Sequence, residues 1–194
     1  MASVYCMRSQ RSERRPIYTI DSFDRLIEVN RAFVDSFQNA AELAPSSLVG
    51  RPIWDFVDGA LPRQLWRVLY SRVRSLAAPL FVPLRADTAS HRCLIDLELH
   101  PAADRAIRHV RECVSFEARP SVALLDTNYP RDERTLNRCA WCARVQVSFG
   151  HWQEVEDAHV SLDLGAGATL PILCETACDP CKQSLLKNFP VRVA

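Results

Sequence analysis

Two C-x2-C pairs in the last third of the chain, Cys139 with Cys142 and Cys178 with Cys181, constrain this sequence more than any other feature. A C-x2-C turn lets two thiolates point at one ion, and two such turns complete a tetrahedron with no open position. A fold that uses both pairs must bring two distant segments together. The gap is longer than in common zinc ribbons, but the entropy of closing a loop grows only slowly with its length. Of the eight cysteines, Cys6, Cys93 and Cys113 are scattered. Cys174 sits near the second pair, but its spacing to Cys181 makes a poor knuckle.

The compartment decides what such thiols do. No apolar run approaches the ~20 residues that a membrane span needs, and the first nine residues lack the uninterrupted apolar stretch of a secretory signal. The expected localisation is cytoplasmic, where stable disulfides are rare and paired cysteines serve metal or redox chemistry. The expected metal ligands are therefore Cys139, Cys142, Cys178 and Cys181, holding a structural Zn2+. Such an ion can supply on the order of 10 kcal/mol of folding free energy to a tail too short to bury much core. A reversible dithiol and buried, unligated cysteines are the alternatives that spacing leaves open.

Charge and motifs narrow the function classes. The net charge of +1 provides no global field for nucleic acid. The four arginines Arg8, Arg11, Arg14 and Arg15 read as a solvated, frayed terminus. The chain contains no Walker-type loop, G-x-S-x-G, H-E-x-x-H or G-x-G-x-x-G, so no catalytic residue is expected. Glu154, Glu156 and Asp157 read as a solvated helical face. The five histidines are isolated, and each reads as a surface or satisfied side chain.

The amino-terminal part reads as strands, then helices, then strands. Ile17–Ile20 and 25–29 are β-prone runs around a turn, which is a hairpin signal. Asn30 follows as a helix N-cap, with Phe33, Val34 and Phe37 at helical spacing behind it. Residues 45–50 have turn composition, and Ile53, Trp54, Phe56 and Val57 form a dense apolar cluster. Pro62 suits the first turn of a helix, along which Leu65, Leu69, Val73 and Leu76 predict one buried face. Three strands are then predicted, Leu80–Arg85, 92–100 and 107–117. In the second of these Ile95, Leu97 and Leu99 alternate with Asp96, Glu98 and His100. A sheet with helices packed on one face buries all these stripes together.

This order resembles the PAS family, whose fold is a five-stranded antiparallel sheet with helices across one face. DRLIEVNRAFVDSF (24–37) is similar to the second PAS strand and first helix, including the Asn at the turn, and LVGRPIWDFV (48–57) resembles the stretch leading into the long PAS helix. CAWC (139–142), W-x-E-V-E (152–156) and the terminal C-x2-C look like the four-cysteine tail that follows PAS-type domains in some bacterial sensory proteins. Glu175 and Thr176 stand where that pattern usually has His-Gly. The resemblance implies an α+β fold, with a PAS-like domain at 16–119. A flexible segment (1–15), a linker (120–137) and a zinc-stabilised module (138–194) complete the expected layout.

The resemblance also implies a small-molecule cavity, for which Phe33, Phe37, Trp54, Phe56, Leu69, Ile95 and Leu97 are the candidate lining. The same residues make a plain hydrophobic core, and that reading is preferred. The flavin motif Asn-Cys-Arg-Phe-Leu-Gln is absent, and the long helix has no His for haem. Arg85 and Asp87 at a strand end are expected to pair with each other on the surface. Trp141, inside the first knuckle, is expected to pack in the core, and Trp152 with Val155 to feed the tail's own core. The function implied is a non-enzymatic sensory or protein-interaction module of signal transduction. It would act in trans on a partner such as a histidine kinase or response regulator, with homodimerisation through the segment before the first strand. The alternatives are a zinc-containing nucleic-acid-binding regulator, using the arginines of the helix and terminus, and a thiol-based redox sensor.

Overall fold

The computed structural model describes residues 15–36, 44–164 and 169–187. Cys6, Phe37, the arginines before Arg15 and residues 165–168 lie outside the described residues. Strands β1 (Ile17–Ile20) and β2 (Leu26–Val29) form the predicted hairpin. Asp21 organises its turn, with Oδ1 accepting from the amides of Phe23 at 2.8 Å and Arg25 at 2.9 Å. Helix α1 (Arg31–Val34) follows. Asn30 caps it as expected, Oδ1 accepting from the Phe33 amide at 2.9 Å, and the same oxygen accepts from the Ile17 amide at 3.0 Å. One side chain thus sets both the helix start and its distance from β1.

Helix α2 (Ala60–Leu76) buries Leu65, Leu69, Tyr70 and Val73. Leu76, expected on that face, is 57% exposed. The buried stripe ends at Val73, and Leu76 borders an open depression between the last turn of α2 and the following strand. Strands β3 (Leu80–Arg85), β4 (His91–Pro101) and β5 (Ile107–Ala118) complete a five-stranded antiparallel sheet of order β2-β1-β5-β4-β3. Its inward alternation is as predicted: Ile95, Leu97 and Leu99 are buried. Phe33 and Val34 of α1 and the α2 stripe share one core with Tyr18, Ile20, Leu80, Val82 and Ile107 of the sheet. The architecture is mixed α/β and is consistent with a PAS-like fold.

The segment read as a linker is not structureless. Val122 and Leu124 are buried, and β6 (Arg131–Cys139) runs through its second half. The charge cluster there concealed a strand. Arg131 donates to the carbonyls of Pro171 at 3.0 Å, Leu124 at 3.0 Å and Asp126 at 2.7 Å, and Asp132 pairs with Arg134 at 2.8 Å. The charges decorate the flank while the backbone pairs. β6 lies between β7 (Val145–Ser148) and β9 (Leu170–Thr176), parallel to β9, with β8 (His151–Gln153) on the outer side of β7. Helices α3 (Val155–Ser161) and α4 (Asp179–Lys187) complete this unit. Val122, Leu124, Val145, Val155, Ala158, Leu164 and Leu170 form its small core. The main core extends into it through Cys139, Trp141, Ala177, Cys178 and Leu185, and α4 packs on α2.

Candidate metal centre

Each cysteine of the two pairs is placed by an element end. Cys139 closes β6, in parallel register with Thr176 of β9. The chain then turns sharply: the Ala143 amide donates to the Cys139 carbonyl at 2.9 Å, the Cys139 amide donates to the Arg144 carbonyl at 2.8 Å, and Ala143 takes φ +60°. That turn aims Cys142 back at Cys139. Cys178 immediately precedes α4 and Cys181 lies in its first turn, where Pro180 is tolerated because the first amides of a helix have no partner within it. A helix N-terminus also favours thiolate over thiol.

The four sulfurs lie within 4.8 Å of one another. Cys142 Sγ is 3.7 Å from Cys178 Sγ. A tetrahedral site with metal–sulfur bonds of about 2.3 Å separates its sulfurs by about 3.8 Å, so the cluster has the dimensions of such a site. The Cys178 amide donates to Cys139 Sγ at 3.4 Å, the kind of contact that favours a charged sulfur. Cys139 and Cys178 are buried, and Cys142 and Cys181 half-buried. Hydrogen bonds from Cys142 and Cys181 hold the Cys139 thiol well below its ordinary range. The same sharing pushes Cys142 up to about 12 and Cys181 upwards, because a second thiolate beside Cys139 has no counter-charge. A divalent cation would supply that charge. Cys174 is exposed on β9 and does not join the cluster.

The site is built into the first sheet. The Arg85 amide of β3 donates to the Trp141 carbonyl at 2.7 Å. Trp141 is buried, as expected for a core residue, its ring centroid 5.7 Å from that of Trp66 on α2. Val155 is buried in the small core of the second unit as expected, whereas Trp152 packs against the main core, to which the two pairs of cysteines also belong. Beside the knuckle, Arg85 pairs with Asp87 and, at 2.6 Å, with Glu154. Arg119 joins Asp87 at 3.3 Å to Glu156 at 3.0 Å. The expected surface pair is in fact a buried hub, for the Asp87 side chain is fully covered. Glu154 and Glu156 are likewise not a solvated face, since they bridge α3 to β3, β4 and the end of β5; Asp157 is exposed as expected. Glu175, where the tail pattern has His, pairs with Arg138 at 2.9 Å, and burial pushes its carboxyl upwards.

A second concavity, a cleft of about 270 Å³, lies between α1, α2 and the inner face of the sheet. Of the lining read from sequence, Phe33, Phe56 and Leu97 face it. Leu69 and Ile95 are core instead, and Trp54 packs on Tyr70 with Arg67 over its ring. Tyr18, Tyr70 and Arg111, which sequence reasoning missed, also line it. The period of two in β5 that buries Ile107 and His109 could have flagged Arg111.

Among solved structures the chain is similar to the PAS domain of BvgS from Bordetella pertussis, with 18% identity and a TM-score of 0.37 over 52% of this chain and 73% of that one. No family model and no curated protein matches the chain. Among the described residues, no helix is long and apolar enough to cross a membrane.

Proposed function

We propose that this protein is a non-enzymatic sensory or interaction module, built on a PAS-like domain at 16–119 and locked by a structural zinc ion on Cys139, Cys142, Cys178 and Cys181. The observation that carries the metal assignment is the convergence of two C-x2-C pairs into one cluster of four sulfurs within 4.8 Å. All donors are thiolates and leave no open position, a donor set that suits a structural ion and offers no place for substrate. The sensory assignment rests on the resemblance of 24–37 and 48–57 to PAS sequences and on a five-stranded antiparallel sheet that carries its helices on one face. Such a module would act in trans on a signalling partner such as a histidine kinase or response regulator, and would form homodimers.

The arginines that a nucleic-acid reading would recruit on α2 are engaged elsewhere. Arg63 donates to the Val57 carbonyl at 2.7 Å, and Arg74 pairs with Asp24 at 2.8 Å. Metal analysis of the purified full chain, with a count of reactive thiols before and after chelation, tests the metal assignment. We expect about one zinc per chain and four thiols that become reactive only on chelation. Metal-free protein in which these cysteines form disulfides under mild oxidant would overturn it in favour of a redox sensor.

A further inference from the structure

We propose that the cleft between α1, α2 and the sheet binds a small organic carboxylate, with Arg111 as the group that holds its charge. The proposal deepens the sensory reading by giving the sensed ligand a chemical class. β5 is the central strand of the sheet, and its inward positions carry Ile107, His109 and then Arg111. Cross-strand from Arg111 stands Leu97, part of the apolar core. A guanidinium on the inner face of a central strand is costly unless paired and hydrogen-bonded. Other half-buried or buried arginines of this chain obey that rule: Arg74, Arg85, Arg119 and Arg138 each meet a carboxylate. Arg111 makes no side-chain hydrogen bond or ion pair with any described residue, and it lines the cleft. The groups close enough to act on it electrostatically are Tyr18 and Cys93, and both are neutral at physiological pH.

The remaining walls decide what kind of anion fits. Phe33, Ile53, Phe56, Trp66, Leu84 and Leu97 make most of them apolar, and the hydroxyls that also line the cleft are engaged within the protein, Ser36 with the Phe33 carbonyl at 2.6 Å, Tyr70 with His109 at 3.1 Å and Tyr18 with Tyr70, so a hydrated inorganic ion would regain little of the water it loses. An acid with a compact apolar body satisfies both ends: its carboxylate takes two parallel hydrogen bonds from the guanidinium, and its body covers the aromatic walls. The volume of about 270 Å³ lies at the small end of ligand pockets, which favours a single ring or a short chain.

Calorimetric titration of the metal-loaded full chain with phenylacetate, hexanoate, their amides and inorganic phosphate tests this. Either acid should bind at least about tenfold more tightly than its amide, the margin expected of a charge-assisted pair. Arg111→Met should abolish that preference, and Arg111→Lys should keep part of it. Arg111→Met should also melt no lower than the parent, because it removes an unpaired charge from an apolar face. Acid and amide binding alike, phosphate competing as well as the acids, no member of the panel binding, or a preference that survives Arg111→Met would each overturn the proposal. A marked fall in melting temperature in Arg111→Met would do so too, by making Arg111 structural. Zinc content measured on the same samples separates the two readings: metal-free protein that selects carboxylates sinks the metal assignment alone, and metal-loaded protein indifferent to them sinks this one.

Discussion

His109 shows how a single buried position couples to solution conditions. It faces the core from β5, stacks on Tyr18 at 4.1 Å between centroids, and meets the Tyr70 hydroxyl through Nε2 at 3.1 Å. Burial, aided by the nearby Arg74 charge, pushes its pKa down from 6.5 to about 3. The folded protein therefore keeps His109 neutral while the unfolded chain takes up a proton below its ordinary pKa. Stability is fully present above that value and falls as pH drops towards the folded pKa, by about 1.4 kcal/mol per pH unit. Between roughly pH 7.5 and 5.5 the parent should lose about 1.4 kcal/mol more than His109→Phe, which retains the stack but cannot titrate. Denaturant unfolding of both proteins at the two pH values measures this, and the comparison cancels the thiols, which titrate in both. Equal pH slopes would show that His109 is not the responsible group. In sequence, His109 reads only as a surface or satisfied histidine, whereas it is buried with Nε2 on Tyr70 and Nδ1 without a hydrogen-bond partner among the described residues. Its burial was legible only from the phase of β5, which also places Arg111.

At the scale of elements, periodicity was a good guide where one face is apolar and a poor one where charge masks pairing. The hairpin β1–β2, the Asn30 cap, α2 and the alternation in β4 all follow from local pattern. β6 does not, because Arg131 bonds distant carbonyls, Asp132 pairs with Arg134 and Glu133 is exposed, which leaves no apolar stripe to read. The candidate ligand set was legible because C-x2-C is a local signal. The Asp87 hub was not, since its partners Arg119, Glu154 and Glu156 meet only through tertiary contact. The junction between the two sheets carries a further long-range demand at Gly59, the N-cap of α2, with φ +82°. A Cβ there would stand 2.2 Å from the Glu175 carbonyl oxygen of β9. Gly59→Ala should therefore cost clearly more than Gly50→Ala, where φ is +87° but nothing lies within 4 Å. Gly59 combines its φ with ψ 139°, an extended conformation that residues with a side chain all but avoid, so the excess measured by chemical denaturation reports this backbone strain together with the contact between α2 and β9. Equal losses would mean that the contact is relieved without effect on stability.

For the molecule as a whole, the question is whether 16–119 and 138–194 behave as two units or one. The proposed ligands do not sit in a separate tail core. Cys139 and Cys178 belong to the same cluster as Leu65, Tyr70, Leu80 and Leu97 of the first sheet and its helix. Trp141 on Trp66, the Arg85 amide on the Trp141 carbonyl, and Arg72 on the Leu185 carbonyl at 2.8 Å fasten the knuckle and α4 to β3 and α2. A structural zinc contributes on the order of 10 kcal/mol, comparable with the 5–15 kcal/mol or so that holds an ordinary domain together. Losing it should therefore be felt beyond the segment that supplies the thiols. Cys142→Ser, or chelation of the parent, should abolish amide hydrogen-exchange protection in β6, β7, β9 and α4 and also lower it in α2 and β3. Thermal unfolding followed by circular dichroism and by tryptophan fluorescence should give one coincident transition in the metal-loaded protein. If the carboxy-terminal segment instead loses protection while α2 and β3 keep theirs, the shared core does not transmit the metal's contribution. The cleft beside Trp66 would then be independent of metal loading.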